Sequence, residues 1–89
     1  MIKIEFDPVK NRKNIEERGL AFDLATKFEF DTAVIRIDTR KYYGELRFNA
    51  IGYIGKRLYF ITFTLRVDTF RVISLRKANK REMRNYAET

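Results

Sequence analysis

Glu45, Arg47, Thr64, Arg66 and Arg71 stand at alternate positions in the stretch from Gly44 to Arg76. Their types suit chemistry on an anion. Arginine stays charged, and its planar fork fits two phosphate oxygens at once. A carboxylate among arginines can orient them or take up a proton. On one surface, such residues would bind a phosphodiester and stabilise the negative charge that develops when it is attacked.

Whether they share a surface depends on the strands that carry them. The stretch reads as three β-strands, Glu45–Ile54, Leu58–Arg66 and Thr69–Arg76, joined by tight turns at Gly55-Lys56 and Val67-Asp68. Side chains alternate along a strand, and the turns fix the register. With Ile54 opposite Arg57 and Arg66 opposite Thr69, one face stacks Leu46/Leu65/Phe70, Phe48/Phe63/Val72 and Ala50/Ile61/Ser74. This is the predicted core face. The other stacks Glu45/Arg66/Thr69, Arg47/Thr64/Arg71 and Asn49/Thr62/Ile73, a polar patch with three arginines and one acid. A one-residue bulge would invert every side chain beyond it.

The rest of the chain predicts what packs on that sheet. Met1 to Asp7 alternates like a strand and does not read as a signal peptide. Asp7-Pro8 starts a helix that runs to about Arg18 and stops at Gly19. Val9, Lys13 and Ile15 give it only a weak apolar stripe, so light packing is expected. A second short helix follows at about Asp23–Phe28, with Phe22, Leu24, Ala25 and Phe28 buried, and then a strand at Thr32–Ile37. Asp38 to Gly44 is a polar connection in which Tyr42 and Tyr43 could stack on unpaired bases. A last helix begins at Asn79, with Glu82 placed to complete a capping box and Met83, Tyr86 and Ala87 facing inward. The predicted class is α+β: an N-terminal helix pair on the apolar face of an antiparallel meander, plus a C-terminal helix, in one domain.

Composition narrows the function. The chain has 89 residues, 45% of them hydrophobic and 15% aromatic, which fits one small folded domain. It has no cysteine, so disulfides and thiolate metal sites are excluded, and a reducing cytoplasm fits. It has no histidine, so acid–base chemistry falls to Glu, Asp, Lys, Arg or Tyr. No apolar run is long enough to span a bilayer, so no membrane partner is expected. Metal-ligand spacing, a P-loop and the dinucleotide glycine pattern are also missing. Net charge is +7, divided as −1 over residues 1–35 and +8 over residues 36–89. Positive charge gathered in the sheet and the C-terminal segment suits RNA or DNA. A basic surface kept for solubility has the same composition, and the co-facing arginines favour nucleic acid.

Taken together, these segments resemble the BrnT family of type II toxin–antitoxin toxins. The resemblance rests on Phe6-Asp7-Pro8 with Lys10 and Asn14, Gly19 before Phe22, Gly44-Glu45-x-Arg47, Ile51-Gly52 and Gly55-Lys56-Arg57-Leu58. It continues through Thr64-x-Arg66 and Arg71-Val72-Ile73-Ser74-x-Arg76-x-Ala78 to Glu82 and Tyr86. Two positions depart from the family: Arg18 stands where histidine is usual, and Ala21 where serine is frequent. The resemblance implies a RelE-like fold and cytoplasmic RNA cleavage that inhibits translation, without a metal or other cofactor. It also implies a cognate ribbon-helix-helix antitoxin (BrnA-like) that neutralises the toxin. Operator DNA would be reached only through the complex of the two.

Metal-free RNA cleavage needs a base for the 2′-hydroxyl, positive charge on the phosphorane and a proton for the leaving 5′-oxygen. Arg47, Arg66 and Arg71 are assigned the phosphate, Thr64 stands in their row, and Glu45 is the candidate base. Arg76, Lys77, Lys80 and Tyr86 are candidate RNA contacts. The bland alternatives are a surface ion pair between Glu45 and Arg66, a core Tyr86 and solvated lysines. A non-catalytic RNA- or protein-binding module, or an inactive toxin homologue in a repressor complex, is the rival function.

Overall fold

A computed structural model describes residues 3–40 and 44–89. In chain order the elements are β1 (Lys3–Phe6), α1 (Pro8–Arg18), two 3-10 helices (Phe22–Lys27 and Phe30–Thr32) and β2 (Val34–Ile37). They are followed by β3 (Phe48–Ile54), β4 (Arg57–Arg66), β5 (Thr69–Lys77) and α2 (Lys80–Ala87). The fold is α+β, but the expected helix pair is one α-helix followed by two 3-10 helices. The strand predicted from Thr32 starts at Val34, and the one predicted from Glu45 starts at Phe48.

The strands form one sheet in the order β1-β5-β4-β3-β2. β2 to β5 are the expected antiparallel meander. β1 lies parallel to β5, with Lys3 opposite Thr69 and Phe6 opposite Val72, so the sheet as a whole is mixed. The β3–β4 hairpin keeps the predicted register, Ile54 opposite Arg57. Gly55 opens its two-residue turn at φ +63°, a conformation that suits glycine at the first position of a II′ turn.

β5 departs from the predicted alternation. Phe63 faces Val72 as expected, but Thr62 faces Ser74, and Ile73 is the extra residue of a bulge. Beyond it the parity reverses. Leu75 replaces Ser74 opposite Ile61 and is fully buried, while Ser74 and Arg76 turn to the polar face.

The apolar face holds the core: Phe22, Ala25, Phe28, Ala50, Ile61, Phe63, Phe70, Val72 and Leu75. Phe63 stacks on Phe70 with centroids 4.4 Å apart and on Phe48 at 5.4 Å. The short 3-10 helices leave one end of this face uncovered. Leu46 and Leu65, predicted as core, are 64% and 52% exposed. Leu65 joins Ile35 and Phe30 along an apolar groove of about 440 Å³, and Leu46 and Ile37 are further exposed apolar side chains.

α1 is held by amides more than by its apolar stripe, since Val9 and Ile15 are exposed. Buried Asn14 donates from Nδ2 to the carbonyls of Leu20 and Leu75, each at 2.9 Å, and accepts from Arg18 at 2.7 Å. β1 ends opposite Val72, so the outer edge of β5 beyond it has no strand partner, and Asn14 satisfies a carbonyl there. Asn11 similarly accepts from the Phe22 N–H, fixing the start of the first 3-10 helix. Asn14→Leu should therefore destabilise the fold by about 1–3 kcal/mol, because two buried carbonyls lose their donor. Urea titration would measure it, and an unchanged midpoint would contradict this role. A Cβ at Gly52 would lie 2.7 Å from the buried Phe28 ring and 3.0 Å from Ala33. Gly52→Ala is expected to lower the melting temperature through overpacking of about 1–3 kcal/mol.

Candidate nucleic-acid interface

The polar face brings together four of the five residues that open the sequence argument. Thr64 and Arg71 are paired across β4 and β5 with Arg66 in the next row, and Arg47 immediately precedes β3, where the β3–β4 register continued by one residue would face Thr64. Glu45 sits just ahead of β3 and reaches back to the same place.

The sequence reading placed one acid here, and the structure adds a second. Parallel pairing puts Glu5 of β1 opposite Arg71. Its Oε1 is 3.1 Å from Arg71 and 3.7 Å from Arg66. Glu45 lies 3.6 Å from Arg66 and 3.5 Å from Arg47. The result is a chain of alternating charge, Arg71–Glu5–Arg66–Glu45–Arg47. Its arginines are partly exposed, Arg66 most at 55% of its side chain. Pairs this open contribute roughly 0–1 kcal/mol each, so an entering phosphate can displace a carboxylate. Thr64 differs from its neighbours: it is 2% exposed, and its hydroxyl donates to the Leu46 carbonyl, which makes it part of the sheet's support.

The four candidate RNA contacts separate. Arg76, turned to this face by the bulge, lies 4.2 Å over the Phe60 ring and donates twice to Glu82, both bonds 2.8 Å. It clamps α2 onto the sheet. Lys77 faces Tyr59 and so points to the opposite side of the sheet. Lys80 is exposed at the start of α2. Tyr86 donates its hydroxyl to the Thr32 carbonyl at 3.0 Å and meets the Tyr53 ring edge-on, which pins α2 near the start of β2. Tyr42 and Tyr43 lie outside the described residues. Arg18, at the family's histidine position, lies on α1 on the apolar side of the sheet and bonds Asn14.

α2 has the expected capping box: Asn79 accepts from the Glu82 N–H at 2.8 Å, and Glu82 accepts from the Asn79 N–H at 2.9 Å. Met83 and Tyr86 are half-buried, whereas Ala87 is exposed. Between α2 and the β2–β3 edge lies a cleft of about 700 Å³, lined by Val34, Arg36, Asn49, Ile51, Phe60 and Arg81 among others. The sequence reading assigned no role to Arg36 or Arg81. The alternation of Val34 and Arg36 against Ile35 and Ile37 carries the signal for the first.

Partial burial pushes the Glu82 carboxyl up, but the Arg76 bonds, the Asn79 N–H and the Arg76 charge outweigh it and leave its pKa below the ordinary 4.5. The folded value lies below the unfolded one, so this stabilisation is present above pH 4.5 and is lost as pH falls through the folded value. Glu82→Gln should destabilise the protein at neutral pH, with the difference from wild type shrinking in acid. Melting curves from neutral to about pH 3 would test this, and a difference independent of pH would contradict it.

Among the described residues no helix is long and apolar enough to cross a membrane, and no group of three acidic side chains could hold a metal ion. Comparison with curated proteins gave no match. The family model described as "Ribonuclease toxin, BrnT, of type II toxin-antitoxin system" matches residues 6–82. That match runs from the last residue of β1 through the capping box of α2, including every arginine and glutamate of the charged chain except Glu5. The chain belongs to the BrnT family of type II toxin–antitoxin ribonuclease toxins.

Proposed function

We infer that this protein is a metal-independent endoribonuclease with a RelE-like fold that cleaves RNA on its arginine face. The observation that carries the reading is the chain Arg71–Glu5–Arg66–Glu45–Arg47, three cations held in place by two weakly bound carboxylates. A phosphodiester entering this face exchanges with Glu5 and Glu45. Arg66, which touches both acids, takes the phosphate, with Arg47 and Arg71 on either side. Guanidinium groups suit the charge on the phosphorane. Glu45, released from Arg66, accepts the 2′-hydroxyl proton as the 2′-oxygen bonds to phosphorus. The P–O5′ bond breaks with the 5′-oxygen taking a proton from water, leaving a 2′,3′-cyclic phosphate. Inhibition of translation follows from loss of RNA, in the cytoplasm. A cognate antitoxin with a ribbon-helix-helix domain neutralises the toxin by lying on or near the basic face, and through it the pair reaches operator DNA.

One observation favours a second reading. All three arginines already have carboxylate partners, and the chain has no histidine. A module that binds RNA or an acidic protein without cleaving, or an inactive toxin homologue in a repressor complex, needs no general base. A cleavage assay on single-stranded RNA in excess EDTA separates the two. Wild type should cleave, and Arg66→Ala should lose about 10²–10³ in rate, the usual effect of removing one charge-stabilising donor. Full activity in Arg66→Ala would remove the phosphate assignment, and binding without cleavage would establish the second reading.

A further inference from the structure

We propose that the cleft between α2 and the β2–β3 edge is a nucleobase subsite that selects a keto base, uracil or guanine, next to the phosphate on the arginine face. The proposal rests on the RNA-cleaving reading above and adds the source of sequence preference. Asn49 lies two residues from Arg47 on β3 with the same orientation, roughly 7 Å further along the strand. The cleft therefore begins one sheet row from the charged chain, within reach of a neighbouring nucleotide.

Its lining has two chemistries. Val34 and Ile51, paired across β2 and β3, give an apolar floor for the body of a flat ring. Asn49 stands in the row beside them. Asn49 lines the cleft, and its Oδ1 accepts the Thr62 hydroxyl at 2.8 Å, so within the proposed subsite Nδ2 is the amide group left to meet a base. An N–H₂ group facing the 4-position of a pyrimidine or the 6-position of a purine rewards the carbonyl that uracil and guanine carry there and opposes the exocyclic amine of cytosine and adenine.

The charge at the rim fits the same ligand. Arg36 faces Asn49 from β2, and Arg81 lies on the first turn of α2. Among the described residues neither makes an ion pair, unlike Arg47, Arg66, Arg71 and Arg76. Of the acids that line the cleft, Asp38 accepts two bonds from the Arg40 guanidinium and one from its N–H, and Glu82 accepts two from Arg76, which leaves Glu88 against Arg36 and Arg81. A cationic rim, an apolar floor and one fixed amide together suit a nucleotide: phosphate outside, base within.

The test is binding of labelled single-stranded oligonucleotides by fluorescence anisotropy, with uracil, guanine, adenine and cytosine runs compared and cleavage sites mapped in parallel. Wild type should bind uracil and guanine runs roughly three- to tenfold more tightly than adenine and cytosine runs, the range for one net hydrogen bond. Asn49→Asp keeps an acceptor for Thr62 and replaces the donor, so it should shift preference toward the amino bases. Arg36→Ala should weaken all four alike and reduce the salt dependence. Cleavage without base discrimination, or an Asn49→Asp preference identical to wild type, would overturn the subsite and leave the ribonuclease reading intact. Discrimination without cleavage would support the subsite and remove the ribonuclease. Failure to bind any of the four would overturn both.

Discussion

The bulge at Ile73 is the constraint on which the arrangement of this sheet depends. β5 must bury Phe70 and Val72 near its start and Leu75 near its end, and these residues do not share one parity. One extra residue reconciles them. The same half-turn moves Arg76 from the core side to the polar side, where it can cover Phe60 and hold Glu82. Core completion and the docking of α2 are thus two results of one backbone irregularity. Without the docked helix, the cleft beside β2 and β3 would have only one wall.

Much of this was legible in the sequence, and the failures share a cause. The β3–β4 register followed from alternation and turn length, and the capping box from Asn79 and Glu82. The caps of α1, Asp7 before it and Gly19 after it, were equally local signals. What escaped depended on contacts distant in sequence. Nothing local in Val72-Ile73-Ser74 marks a bulge; it is forced by Leu75 needing the core. The parallel partner of β1 could not be read either, since residues 3–6 alternate in the same way whichever strand they join. Glu5 was therefore missing from the polar face. The second helix lies within one residue of its expected bounds, but its apolar residues suit an α-helix, whereas the chain folds there as 3-10 turns.

The candidate site shows that matching a residue type to a chemistry is only half an assignment. Arg66 and Arg76 are both arginines on the polar face, yet their surroundings give them different work. Arg66 touches two half-exposed carboxylates at 3.6 and 3.7 Å, contacts that exchange readily. Arg76 makes two bonds of 2.8 Å to a mostly buried carboxylate and lies against an aromatic ring, so breaking that arrangement would strand a charge. Thr64 and Thr62 make the same point for hydroxyls: each is buried and already donating, one to the Leu46 carbonyl and the other to Asn49.

Glu5 also ties the site to the order in which the chain comes together. Its partner Arg71 lies 66 positions away, on the last strand of the chain. Contacts so distant in sequence close late, because the intervening loop must first be restrained. The arginine face therefore acquires its full arrangement only when the first strand of the chain pairs with the last. A chain stalled at the meander would carry the same arginines without the carboxylate that spaces two of them. Maturation of the surface is in this sense a report on completed folding.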